Sequence, residues 1–348
     1  MSSNRIHSID AFRVLAILAV IAIHTTPFGE VENNQTYTVL YVAINQLARF
    51  AVPFFFVISG YFFARKINGG SALLPSAIYS LKRLAIIWLF FSIIYVFPYD
   101  LIKAFEYGLL GPVKVFYWNL VTIEHDPVKF FFQGSKVHLW FLVSLALSII
   151  ITSLFLRYFQ PNPLPSLITF SVVIYVFGLL AKSYADTPYG VDIDFNTRNG
   201  PFFSTVFFVM GYVLSYLKLN PSYLFYGLLV TIVGYAIQAG EIYYLYHSYS
   251  IDPTSHDYVV GTLLVGLGVS LMALSNHPFL NIRSISGIGR YTLGIYGIHF
   301  IFVDMLRHFD QKVSNPSWEL IYVLIVFLLS VIVTVVLSRN KKLKKVFV

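Results

Sequence analysis

The stretch "IDAFRVLAILAVIAIHTT", residues 9–26, decides how the chain is read. Its middle is apolar over nearly the length of a membrane crossing, which takes about 20 residues. Yet Asp10 and Arg13 stand near its start and His24 near its end. Ionisable groups are costly in hydrocarbon, and where they occur they mark function. Eleven residues separate Arg13 from His24; at about 100° per residue this is three helical turns plus about 20°. The two side chains therefore share one face, about 16 Å apart along the axis. Asp10 falls three residues before Arg13, close to the same stripe, where it can hold the guanidinium.

Composition extends this reading to the whole chain. Hydrophobic residues make up 57% of 348 and charged residues only 11%, against roughly 25% charged in a soluble domain. Mean hydropathy is +0.72. These values exclude a soluble globular protein. Cysteine is absent, which removes disulfides, thiolate nucleophiles and cysteine-ligated metals from consideration. The sequence also has no HExxH pattern and no carboxylate cluster inside an apolar stretch, so no metal site is expected. The glycines at 261, 266 and 268 lie within an apolar run and read as helix-packing positions rather than a nucleotide loop.

Apolar runs near 11–29, 38–64, 77–98, 138–157, 164–182, 201–217, 222–240, 258–275, 288–306 and 318–338 predict about ten transmembrane helices. The expected fold is an all-α polytopic membrane bundle forming a single domain, 1–348. The first run has a weak basic start and no small-residue cleavage site, so it is read as a helix rather than a signal peptide. With both termini cytoplasmic, Arg5, Arg65, Lys66, Lys82, Arg83, Arg157, Lys218, Arg283, Arg290 and the Arg339–Lys345 cations fall inside. The acids, among them Glu30, Glu32, Asp100, Asp192, Asp194, Asp257 and Glu319, fall outside, with Asp10 the exception. The net charge of +8 is thus a topology signal and not a nucleic-acid footprint.

In that orientation Arg13 sits near the cytoplasmic side and His24 near the outer side. A long, thin donor such as acyl-CoA suits the gap, because its pantetheine arm is of similar length. Arginine grips phosphate with a planar, always-charged fork, and a histidine of near-neutral pKa can take a proton from a hydroxyl. The plainer alternative has Arg13 snorkelling to the inner surface and His24 capping the outer helix end.

Several segments resemble the acyltransferase-3 family of membrane acyltransferases. The basic residue followed after ten residues by histidine, Arg13 and His24, is similar to the mark of the family's first helix. "ARFAVPFFFVISGYFFA" (48–64), "HLWFL" (138–142), "RNGPFFSTVFFVMGY" (198–212) and "IGRYTLGIYGIH" (288–299) resemble later motifs in order and spacing. The likeness is to the standalone branch, without an appended esterase-like domain. It implies transfer of an acyl group, most often acetyl, from cytoplasmic acyl-CoA to a hydroxyl of a cell-envelope saccharide or glycolipid. Such a protein lies in the bacterial inner membrane, with lipid, donor and acceptor as its partners. The resemblance makes His24 catalytic and Arg13 part of donor handling. Direct transfer and an acyl-histidine intermediate both fit.

Topology assigns the rest. Arg49, Lys82 and Arg83 are expected to join Arg13 in binding the donor, the last two at its phosphates, with Arg49 at mid-span. His138, Trp140, Arg198, Asn199, Tyr296 and His299 gather at the depth of His24 as acceptor-binding or supporting residues. Arg198 either stabilises an oxyanion or pairs with Asp192 or Asp194. His299 either orients His24 or bridges helices. Trp140 packs in the interfacial belt, the favoured reading, or stacks on sugar. The aromatic stretch 115–134 reads as interfacial. The competing function class is a transporter or flippase of a glycolipid or small solute, with the same ionisable groups lining its path.

Overall fold

A computed structural model describes residues 6–29, 35–310 and 316–348. Arg5, Glu30 and Glu32 of the charge map lie outside the described residues. Every regular element described is helical. In chain order these are α1 (His7–Thr25), α2 (Gln35–Ala48), α3 (Ala51–Asn68), α4 (Leu73–Val96), α5 (Leu101–Phe105), α6 (Gly111–His125) and α7 (Pro127–Gln133). A 3-10 turn at Val137–Leu139 leads into α8 (Trp140–Tyr158), followed by α9 (Pro163–Leu180). Then come α10 (Pro201–Leu214), α11 (Tyr223–Tyr249), α12 (Val260–Leu274), α13 (Arg283–Gly289), α14 (Thr292–Asp310), α15 (Pro316–Leu337) and α16 (Lys344–Phe347).

Among the described residues, seven helical stretches are long and apolar enough to cross a membrane: His7–Thr25, Gln35–Asn68, Leu73–Phe105, Val137–Tyr158, Pro163–Leu180, Tyr223–Tyr249 and Pro316–Leu337. The expected runs at 201–217 and 258–275 form shorter apolar helices, Pro201–Leu214 and Val260–Leu274. The run at 288–306 straddles the end of α13 and most of α14. At about 1.5 Å per residue, the 14 residues of α10 span about 21 Å, short of the roughly 30 Å hydrocarbon layer. α10 compensates by being the most enclosed helix, with ten of its residues buried.

The run at 38–64 is not one straight helix. α2 ends at Ala48, and α3 begins at Ala51. Pro53 explains the break: it lacks the N–H that would reach the carbonyl of Arg49, and its ring crowds that carbonyl. Arg49 therefore sits at a helix junction near the middle of the Gln35–Asn68 stretch.

Close helix approaches fix the core. A Cβ on Gly60 of α3 would lie 2.0 Å from the Phe208 carbonyl oxygen of α10, and one on Gly211 would lie 1.8 Å from the Val57 carbonyl oxygen. The two backbones touch reciprocally, as small residues permit in membranes where packing rather than water drives association. Gly261 and Gly268 of α12 meet α11 in the same way, at the backbone of Gln238 and Gly227. The segment between α4 and α8 folds into α5–α7 with Leu109, Leu110, Tyr117, Trp118 and Phe131 turned outward.

Candidate active site

One cavity of about 570 Å³ runs beside α1 and is lined by both Arg13 and His24. The shared helical face read from the sequence is the face turned to this cavity. α3 runs antiparallel to α1, so Phe62 and Lys66 lie at the Arg13 end; the Arg13 guanidinium stands 5.2 Å from the Phe62 ring centre. α4 brings Tyr79 and Arg83 to the same end, where Lys66 Nζ lies 4.8 Å from the Tyr79 ring centre. Arg290, just before α14, completes a lining with four cations. Asp10 pairs with Arg13 at 3.1 Å, as its spacing predicts. Between the ends the walls are apolar, with Val20, Phe55, Leu84, Ile87, Leu145 and Ile149 among them.

The other end is built from rings. His24, near the C-terminus of α1, lies 5.4 Å from His299 and 4.5 Å from Phe300, centre to centre. His138 lies 5.1 Å from His299 and stacks on Phe300 at 4.7 Å. His299 and His138 are buried. The Nδ1 of His299 is 2.7 Å from the Tyr296 carbonyl oxygen. A carbonyl can only accept, so Nδ1 carries the proton and Nε2 is left as an acceptor. That Nε2 is buried without a hydrogen-bond partner among the described residues, as are both ring nitrogens of His138. Tyr296 donates its hydroxyl to the His138 carbonyl, tying α14 to the start of α8. His24 makes no hydrogen bond to any described residue and faces the cavity with His138, Trp140 and Tyr296. Three imidazoles from three helices thus gather at one point, as their depths in the sequence imply.

Beside this end a single carboxylate gathers two arginines. Asp257 Oδ1 takes Arg49 Nη1 at 2.7 Å and Arg198 Nη1 at 3.1 Å. Arg49 also donates to Asn45 Oδ1 and the Thr254 carbonyl, and Arg198 Nε to Asn199 Oδ1. Burial alone favours the neutral acid, but the Arg198 and Arg49 guanidiniums override it and hold the Asp257 carboxyl at about 2. The Arg198 guanidinium stands over Trp140, 5.1 Å from the ring centre. On the far side of the histidines, Asp304 binds Lys136 and Tyr99, and Lys136 Nζ lies 4.9 Å from the Phe300 ring centre.

These positions correct several expectations. Arg49 does not line the cavity, because the helix break turns it toward Asp257. Arg198 pairs with Asp257 rather than with Asp192 or Asp194. Trp140 is 7% exposed and lies against Phe56 and Phe203, so it belongs to the cavity wall and not to an interfacial belt. Lys82 is exposed and outside the lining, whereas its neighbour Arg83 is in it and donates to the Val348 oxygen at 2.9 Å. Sequence reasoning missed Lys136 and Phe300 and gave Asp257 no role beyond its charge. Phe300 follows His299 directly, but nothing in a single apolar residue singles it out. Among the described residues, no group of three or more His, Cys, Asp or Glu side chains is placed to hold a metal ion.

Comparison with known proteins follows the same lines. Residues 6–339 match the acyltransferase-3 family, described as an acyltransferase domain. An amino-acid racemase of Enterococcus faecalis is 25% identical over 367 aligned positions, covering 97% of this chain and 47% of that protein. A serine/alanine racemase of Enterococcus gallinarum is 24% identical, over 93% of this chain and 44% of its own length. The chain therefore spans about half the length of the curated relatives it matches. No solved structure matches it.

Proposed function

The chain belongs to the acyltransferase-3 family, and from that premise we propose that it moves an acetyl group from cytoplasmic acetyl-CoA to a sugar hydroxyl of a cell-surface polysaccharide or glycolipid. In this reading it is a multi-pass protein of a bacterial inner membrane, with about ten spans and both termini in the cytoplasm. The observation that carries the proposal is the single cavity joining Arg13 to His24. Its cationic end suits phosphates, its apolar waist suits a pantetheine arm, and its ring-lined end suits a thioester.

The chemistry then needs one proton carrier. His24 takes the proton of the acceptor hydroxyl, and the oxygen attacks the thioester carbonyl. The C–S bond breaks, and the proton passes from His24 to the departing thiolate. His299, Tyr296 and His138 hold the ring cluster around His24. Arg198, over Trp140, and Asn199, bonded to Arg198, support the acceptor side, where a fixed cation also favours an oxyanion. Arg13, with Arg83, handles the donor; Arg49 acts through Asp257, and Lys82 is left a surface role.

The racemase names of the relatives do not change this reading, since they belong to proteins about twice as long, and the family match over 6–339 favours acyl transfer. A transporter would use the same cavity as a passage, but three imidazoles beside one end of it, with His24, His138, Trp140 and Tyr296 in its lining, favour a site for proton transfer. The test is mass spectrometry of envelope glycans from cells with and without the protein. A missing acetyl mass is expected on a defined sugar. Unchanged glycans and lipids, together with no label transfer from acetyl-CoA by the purified protein, would sink the proposal.

A further inference from the structure

A second cavity, of about 310 Å³, adjoins the cationic end of the first and shares Arg290 and Val348 with it. Its lining adds Arg339 and Lys344, with Tyr291 and Ser338. Arg290, Arg339 and Lys344 have no carboxylate partner among the described residues. Three uncompensated cations around a concave space favour a polyanion.

The α16 backbone on one wall of this cavity is anchored. Val346 and Phe347 of α16 are buried. Phe347 packs edge-on against Phe90 and Phe91 of α4, at 5.9 and 5.7 Å between ring centres. It also lies over Gly294 of α14, where a Cβ would come within 2.8 Å of it. Arg83 holds the Val348 oxygen. α16 is thereby clamped between α4 and α14, which brings the exposed Lys344 to the same cavity as the exposed Arg290 and Arg339.

We propose that Arg290, Arg339 and Lys344 form a subsite for the 3′-phosphorylated nucleotide end of the coenzyme A donor. The inference rests on the donor reading above and deepens it. Arg290, common to both cavities, meets the pyrophosphate with Arg83. Arg339 and Lys344 meet the ribose 3′-phosphate, and the Tyr291 ring, 4.7 Å from the Arg290 guanidinium, steadies that arginine. The volume falls within the range of small-molecule sites, roughly 300–1,000 Å³. A protein that merely anchored these cations at the lipid surface would have no preference for the 3′-phosphate.

The test is equilibrium binding of radiolabelled CoA and dephospho-CoA to the full chain in lipid nanodiscs. CoA is expected to bind more tightly than dephospho-CoA, on the order of 10-fold, as two solvent-exposed ion contacts to phosphate would give. In the R339Q/K344Q double variant this ratio should collapse toward one, while R339K/K344R should keep most of it. Equal affinity for the two ligands in the unaltered protein overturns the subsite and leaves the donor reading standing. A ratio that survives in R339Q/K344Q overturns it equally. No binding of either ligand to folded protein overturns the donor reading, and the subsite with it.

Discussion

Arg49 and Asp257 meet at 2.7 Å although 208 residues separate them. The contact joins the break between α2 and α3 to the loop before α12, and Arg198 shares the same carboxylate oxygen. One acid thus fixes two cations beside the His24 end of the cavity. Asp257→Asn leaves both guanidiniums short of their counter-charge, and breaking a buried pair by removing one partner costs about 3–5 kcal/mol. The melting temperature of the purified protein should fall accordingly. The pH dependence has a definite sign. The folded-state carboxyl sits at about 2, below its ordinary value of 3.8. Its stabilisation is therefore complete above about pH 4 and is lost as pH falls toward about 2. Melting curves across that window should show an acid limb that is weaker in Asp257→Asn. Identical curves for the two proteins would count against the pair as a structural tie.

The α3–α10 crossing makes a second prediction. Gly60→Ala places a methyl group 2.0 Å from the Phe208 carbonyl oxygen, and backbone there cannot yield as a flexible side chain would. Overpacking of this kind costs about 1–3 kcal/mol or more. Gly287→Ala is the control, because a Cβ there meets nothing within 4 Å. Gly60→Ala should lower the yield of folded protein and the melting temperature, with Gly287→Ala near the parent value. Equal melting of the two variants would show that the helices separate at little cost.

Tyr296→Phe probes the tie between α14 and α8. It removes the hydroxyl donated to the His138 carbonyl, worth about 1 kcal/mol in a typical case. A loss of that size in stability is expected, accompanied by a fall in kcat for acetyl transfer with KM for acetyl-CoA little changed. A rise in KM with unaltered kcat would place Tyr296 at the donor and not at the reacting end.

Legibility in the sequence followed range. Arg13, His24 and Asp10 lie on one helix, so the helical repeat alone put them on one face, and the cavity runs along that face. His138, His299 and Tyr296 could be brought together by matching depth, because helix direction and apolar length bound where each residue sits. Asp257 could not be placed this way. It lies in a loop, and its role depends on which of several arginines the fold brings to it. The turn of Arg49 away from the cavity was not legible because an apolar run hides a helix break, although Pro53 was the available signal. Trp140 read as an interfacial ring because aromatic residues at span ends usually are; only packing against Phe56 and Phe203 distinguishes a wall from a belt.

The final prediction separates the two ends of the cavity by kinetics. His24 faces the space without a protein hydrogen bond among the described residues, whereas Arg13 is about 16 Å away along the helix and already paired to Asp10. If His24 moves the proton, His24→Ala should lower kcat by about 10²–10⁴, the usual range for a general acid–base group. KM for acetyl-CoA should change little, since the phosphates are held at the far end. Arg13→Gln should do the reverse, raising KM for acetyl-CoA by about tenfold, the equivalent of about 1.4 kcal/mol, with the smaller effect on kcat. Arg13→Lys should recover only part of the loss, because an ammonium cannot present a planar fork to phosphate. Initial rates of label transfer from acetyl-CoA by each variant, with circular dichroism as the check on folding, decide the matter. Near-parent kcat in folded His24→Ala would remove the histidine from the chemistry, while unchanged KM in Arg13→Gln would reduce the arginine to a membrane anchor.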